Sequence, residues 1–206
     1  HINNHLAGSS IVDYNISFAL PYLKELGEVA RKYGHRITAH PGQFVQLGTP
    51  REDVLKRSKL DLTTHADIFL AMGMTPQLGS VMVVHGGGVF GNKEETMERW
   101  CKAYCDLDEK VRQFVVLEND EYGYGVLDLL PWCEKYDIPL VVDWFHNICY
   151  KKIHESKIEK AANTATKNND EQQDNKLVDL SFGPHSVDII ERIVAIWRRR
   201  GIKPKC

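Results

Sequence analysis

Four apolar runs punctuate the chain, and each stops at a side chain able to ligate a metal: Ile37-Thr38-Ala39-His40-Pro41-Gly42, Val81-Met82-Val83-Val84-His85-Gly86, Phe114-Val115-Val116-Leu117-Glu118-Asn119 and Leu140-Val141-Val142-Asp143-Trp144-Phe145-His146. A short, largely β-branched run that halts at His, Glu or Asp and then breaks predicts a buried strand delivering a polar group to a sheet's edge. Elsewhere the apolar period lengthens to that of helices. One helix is predicted from about Phe18 to Tyr33, with Pro21 near its first turn and Gly34 as its stop. Pro50 opens a second, which carries Leu55, Leu62 and Ile68 to about Met72, before Gly73. Asn92 caps a third, with Glu94 and Glu95 where the helix dipole favours anions. A fourth spans about Val126 to Tyr136, and a fifth, from about Ser186 to Arg200, sets Val187, Ile190, Ile193, Val194 and Trp197 on one face.

Strand and helix in alternation predict a parallel α/β sheet, and near-continuous apolar strands fit a sheet covered on both faces. If the strands are parallel, all four polar groups arrive at one end. Convergence of groups from several strands suits a closed barrel better than a flat sheet, and a barrel keeps its active site on the loops after the strands. The fold class expected is therefore α/β, an incomplete TIM (β/α)8 barrel with outer helices. Ile202-Lys203-Pro204-Lys205 reads as the start of a fifth strand, and a full barrel needs more chain at both ends. Residues 1–206 are expected to be a partial barrel domain, interrupted by a polar, disordered insertion at about 155–176.

Composition narrows the options. A 43% hydrophobic content supports a large core, and a net charge of −2 supplies no global positive field for nucleic acid, so any DNA affinity must be local. No run approaches the ~18 apolar residues of a membrane helix. The five cysteines, odd in number and irregularly spaced, read as reduced thiols packed as small hydrophobes. The expected location is intracellular.

Imidazoles and carboxylates without thiolates suit Zn, Mn or Fe. His40, His85, Glu118, Asp143 and His146 are the candidate ligands, and Glu118, on a central strand, has two oxygens with which to bridge ions. Bridged ions clamp the attacking and leaving oxygens of a phosphodiester and acidify a water, so phosphodiester hydrolysis is the natural reaction. A sugar isomerase or epimerase on the same barrel is the alternative, and an inactive remnant that binds metal or DNA is another.

The segments His40-Pro41-Gly42-Gln43-Phe44, Val84-His85-Gly86-Gly87-Gly88, Leu117-Glu118-Asn119-Asp120 and Asp143-Trp144-Phe145-His146 together resemble the UV damage endonuclease family, itself similar to AP endonucleases of the endonuclease IV type. The match spans most of residues 1–150 and resumes at Trp197 and Ile202-Lys203-Pro204-Lys205. The resemblance implies that His40, His85 and Glu118 hold one ion, that Glu118 and Asp143 share a second, and that His146 holds a third. Manganese is the implied metal, although the ligand types equally admit zinc. Gln43 and Phe44 fall where the family inserts a polar and an aromatic side chain into the duplex, with Phe where relatives can carry Tyr. Lys205 matches a family lysine that can be carboxylated beside the metals, which pairs it with Glu118 as a catalytic candidate. Damaged double-stranded DNA is the implied partner, incised 5′ to pyrimidine photoproducts, with the nucleus as the location in a eukaryote. The chain departs from the family at Phe145, where some relatives have His, and it lacks a His, His and Glu that follow the lysine as ligands.

Two further basic features stand apart. Lys93, after the Gly86-Gly87-Gly88 loop, could touch a phosphate. Arg198-Arg199-Arg200 is explained by the helix dipole alone.

Overall fold

Continuous apolar runs belong in strands covered on both faces, and three of the four lie there. The structure, a computed structural model, describes residues 15–165 and 186–204. At its centre, β1 (Met82–His85), β2 (Val115–Glu118) and β3 (Leu140–Val141) form a parallel sheet in that order. Met82 sits opposite Val115, His85 opposite Glu118, and Glu118 opposite Val141. Val81 to Val84, Phe114 to Leu117 and Leu140 are each at most 2% exposed. β1 and β2 end at His85 and Glu118, the polar residues that close their runs.

Helices α1 (Leu20–Lys32) and α2 (Glu52–Ala71) precede the sheet. The first crossover uses α3 (Lys93–Cys105) and the short α4 (Glu109–Arg112), and the second uses α5 (Val126–Tyr136). After β3 come α6 (Trp144–Ala165) and α7 (Ser186–Arg199). Local chemistry sets the ends. Asn92 Oδ1 accepts the amides of Glu94 and Glu95 at 2.8 and 3.2 Å, capping α3. Helix α5 ends at Asp137 in the left-handed conformation (φ 54°), which lets the Ile138 amide return to Cys133 O at 2.9 Å. Trp197 of α7, 1% exposed, donates its indole N–H to Leu140 O at 2.8 Å, anchoring α7 on β3.

The structure departs from the sequence reading at four points. Ile37–His40 is not a strand: only Ala39 bridges to Met82, through Ala39 N–Val81 O (3.0 Å) and Val83 N–Ala39 O (2.9 Å). Pro41, which has no N–H, stops the pairing just beyond. Ile202–Pro204 forms no strand either: Ile202 packs into the core, and the carbonyls of Lys203 and Pro204 accept from Arg36 at 3.1 Å. The third concerns α6, which was not anticipated and covers the first part of the polar stretch, 155–165; Lys157-Ile158-Glu159-Lys160-Ala161-Ala162 consists largely of good helix formers. The rest of that stretch, 166–176, lies outside the described residues. The fourth is α4, a single turn capped by Asp108, too short to show a period.

Candidate metal centre

Register alone places the first two groups. His85 and Glu118 are the last residues of neighbouring parallel strands and are direct partners. His85 Nε2 lies 3.2 Å from Glu118 Oε2. His40, one residue past the Ala39 bridge, brings its Nε2 within 3.0 Å of the same oxygen. The ligand atoms of His40, His85 and Glu118 lie within 4.8 Å of one another.

The three differ in footing. The Glu118 side chain is 9% exposed, His85 26% and His40 54%. Burial, offset in part by the nearby Glu118 carboxylate, holds the His85 imidazole below its ordinary value, so the neutral, ligating form is favoured. Its Nδ1 is buried and makes no hydrogen bond. A sheltered carboxylate oxygen between two Nε2 atoms is a donor set for a borderline divalent cation, and this set fits one.

Asp143 and His146 sit at the start of α6. Asp143 Oδ1 accepts the His146 amide at 2.8 Å, so the aspartate caps the helix while Oδ2 lies 3.8 Å from His146 Nδ1. His146 Nδ1 lies 3.0 Å from Asn119 O. A carbonyl only accepts, so Nδ1 carries the proton and Nε2 presents its lone pair. The His85 and His146 rings are 5.5 Å apart, and those of His40 and His85 5.0 Å. All five predicted ligands therefore lie at the strands' C-terminal end, and among the described residues His40, His85 and Glu118 come close enough to share one ion.

Of the five, His85 and His146 border an open cavity of about 500 Å³, walled also by Gln43 and Gln46, by Gly87 and Gly88, and by Asp120 to Gly123. The glycines make it possible. A Cβ on Gly86 would stand 2.6 Å from the Tyr124 ring, and Gly87 has φ +82°.

Gln43 lines the cavity, and Phe44 beside it is 76% exposed. Lys93 is engaged elsewhere: Nζ donates to Asp128 Oδ2 at 2.9 Å and to the Tyr150 hydroxyl at 2.7 Å. Lys205 lies outside the described residues.

Sequence reasoning missed several supports. Asn119, 0% exposed, accepts the Asp143 amide on Oδ1 (2.8 Å) and donates Nδ2–H to Asp143 O (3.0 Å), fastening the end of β2 to the start of α6. Gln46 donates to Gln43 O at 2.7 Å and accepts from Gly88 N at 2.9 Å, tying the Gln43–Phe44 tip to the loop after β1. Glu121 Oε2 stands 3.8 Å from His146 Nε2. For Asn119, adjacency to a strand-terminal ligand was the available signal; Gln46 and Glu121 gave none.

Parallel strands buried between helices, with imidazoles and carboxylates gathered where they end, define an α/β protein with a candidate divalent-metal centre. The family model for UV-endonuclease UvdE matches residues 5–206, and the chain belongs to that family. A protein of Acanthamoeba polyphaga mimivirus is 40% identical over 205 residues, 100% of this chain and 53% of its own. The UV-damage endonuclease of Schizosaccharomyces pombe is 43% identical over 136 residues, 65% of this chain and 23% of the relative. The chain thus spans about half the length of these curated relatives, or less. The crystal structure of SacUVDE shares the fold, with a TM-score of 0.68 at 24% identity over 94% of this chain and 55% of that one.

Proposed function

We propose that this chain is part of a metal-dependent DNA repair endonuclease that incises the phosphodiester 5′ to UV photoproducts and other distorting lesions in duplex DNA, in the nucleus where the source is a eukaryote. The observation that carries the reading is the Glu118 carboxylate oxygen held 3.0 and 3.2 Å from His40 Nε2 and His85 Nε2, with His85 itself lining an open cavity. An open cavity flanked by an exposed aromatic suits a polymer better than a small sugar. In the proposed enzyme the chain supplies part of a TIM barrel, completed by further strands.

His40, His85 and Glu118 would hold one ion, Glu118 and Asp143 a second, and His146 a third, with manganese preferred over zinc. When bound, the ions supply Lewis acidity that polarises the phosphodiester and acidifies a water. The chain's own residues do the rest. Asn119 O keeps the His146 proton on Nδ1, and the Asp143 cap fixes the turn from which both side chains project. Glu118, Asp120, Glu121 and Asp143 make the site acidic, so it repels a polyanion until cations neutralise it. Gln43 and Phe44 probe the helix for a distorted step, where unstacking costs least. Lys205 is assigned to the metals' neighbourhood, and Lys93 to a phosphate only if it leaves Asp128.

Incision of a duplex carrying one pyrimidine photoproduct, with manganese and with EDTA, tests the reading. Strand cleavage 5′ to the lesion that needs the metal and disappears in Glu118→Gln is expected. Cleavage that survives the substitution would remove the mechanism.

A further inference from the structure

The Asp120–Gly123 loop contains an aromatic that neither the ligand set nor the Gln43–Phe44 tip employs. Asp120 Oδ1 accepts the backbone amides of Tyr122 (2.8 Å), Gly123 and Tyr124 (3.3 Å), while the Asp120 amide donates to Tyr124 O at 2.9 Å. One carboxylate thus pins successive peptide groups, and the loop is rigid without a helix or strand. Its two tyrosines part company: Tyr124 is 0% exposed, whereas Tyr122 is 69% exposed and lines the cavity with Gln43, His85 and His146. Two χ angles on a pinned backbone leave little entropy to lose when something stacks on that ring. The cavity, about 500 Å³, lies within the range that takes a drug-sized ligand, and so admits a nucleoside.

We infer that Tyr122 is a base-stacking subsite, taking an unstacked nucleobase into the cavity beside the His85 and His146 imidazoles and across from Gln43. This rests on the DNA reading above and extends it by naming a specificity residue. Any base offers a π face, so the subsite rewards a base for being unstacked rather than for its identity. Unstacked bases are what a distorting lesion provides at least cost.

The test uses the full chain with manganese and two fluorescent dodecamers, oligo(dT) and a tetrahydrofuran abasic strand, which share phosphates and differ in bases. The wild type is expected to bind oligo(dT) more tightly. Tyr122→Ala should weaken oligo(dT) binding roughly 5- to 150-fold, leave the abasic strand unchanged, and lose the distinction between them. Tyr122→Phe should keep it, since stacking needs the ring and not the hydroxyl. Equal loss on both strands, or no loss on either, overturns the subsite. A wild type that distinguishes the strands yet never incises a photoproduct keeps the subsite and refutes the nuclease reading; one that binds neither strand refutes both.

Discussion

Asn119 offers a test of how the site is held, independent of metal. Its amide makes two bonds to the Asp143 backbone at 2.8 and 3.0 Å, with the residue 0% exposed. In Asn119→Ala the Asp143 N–H is stranded, which costs about 1–3 kcal/mol. The Asp143 carbonyl keeps its bond from the Asn147 amide (3.0 Å), so there only a second bond is lost, worth about 0.5–1.5 kcal/mol. The sum, roughly 1.5–4.5 kcal/mol, is a large share of the 5–15 kcal/mol typical of a domain. Asn119→Asp has the same shape but places an acceptor opposite Asp143 O and a second buried charge beside Glu118. It should therefore cost at least as much as alanine. Urea unfolding followed by circular dichroism, in EDTA and at constant protein concentration, reads both. An alanine variant within about 0.5 kcal/mol of wild type, or an aspartate variant as stable as wild type, would refute the clip.

Other measurements probe separate parts of the molecule. Manganese at a hundred times its Kd should stabilise the wild type by about 2.7 kcal/mol in a thermal shift, and Glu118→Gln should abolish the increment without unfolding the apo chain. The Asp61 carboxylate, with Oδ1 3.0 Å from His65 Nδ1, raises that imidazole above its ordinary value, against the effect of burial. A raised folded-state value means stability present at low pH and lost as pH rises through it, so Asp61→Asn should cost more at about pH 5.5 than at about pH 9. Burial pushes the Cys101 thiol up to about 12 and that of Cys133 well above its usual value, while Cys105 is exposed. A maleimide followed by peptide mass spectrometry should label Cys105 in the native protein, and Cys101 and Cys133 only after denaturation.

Helices were readable because their signals are local. Asn92, Gly34, Gly73 and the apolar stripe of α7 lie within a few residues of what they specify, and α5 begins and ends where its period does. Strand Ile37–His40 was misread because pairing is a property of two segments, and the run itself carries no record of its single bridge. Helix α6 was hidden by chemistry: Asp143 looked like the end of a strand, and one of its oxygens also starts the next helix. Of the five candidate ligands, His85 and Glu118 end strands as their runs implied, whereas Gln46 and Asn119 act through partners 42 and 24 residues away.

That division explains how the centre is organised mechanically. Glu118 is fixed on both sides by register, against His85 on β1 and Val141 on β3, and is 7% exposed. His85 shares that register, so one pair of candidate ligands is preset by the sheet and costs little further entropy to engage. His40 hangs from a single bridge with its ring 54% exposed, and His146 hangs from a helix cap and the Asn119 clip. Immobilising such side chains costs about 0.5–1.5 kcal/mol each. A cation would thus meet a rigid His85–Glu118 pair first and order His40 by binding. Removing His40 should therefore weaken an ion by less than removing Glu118, since the carboxylate supplies charge on a backbone already in place.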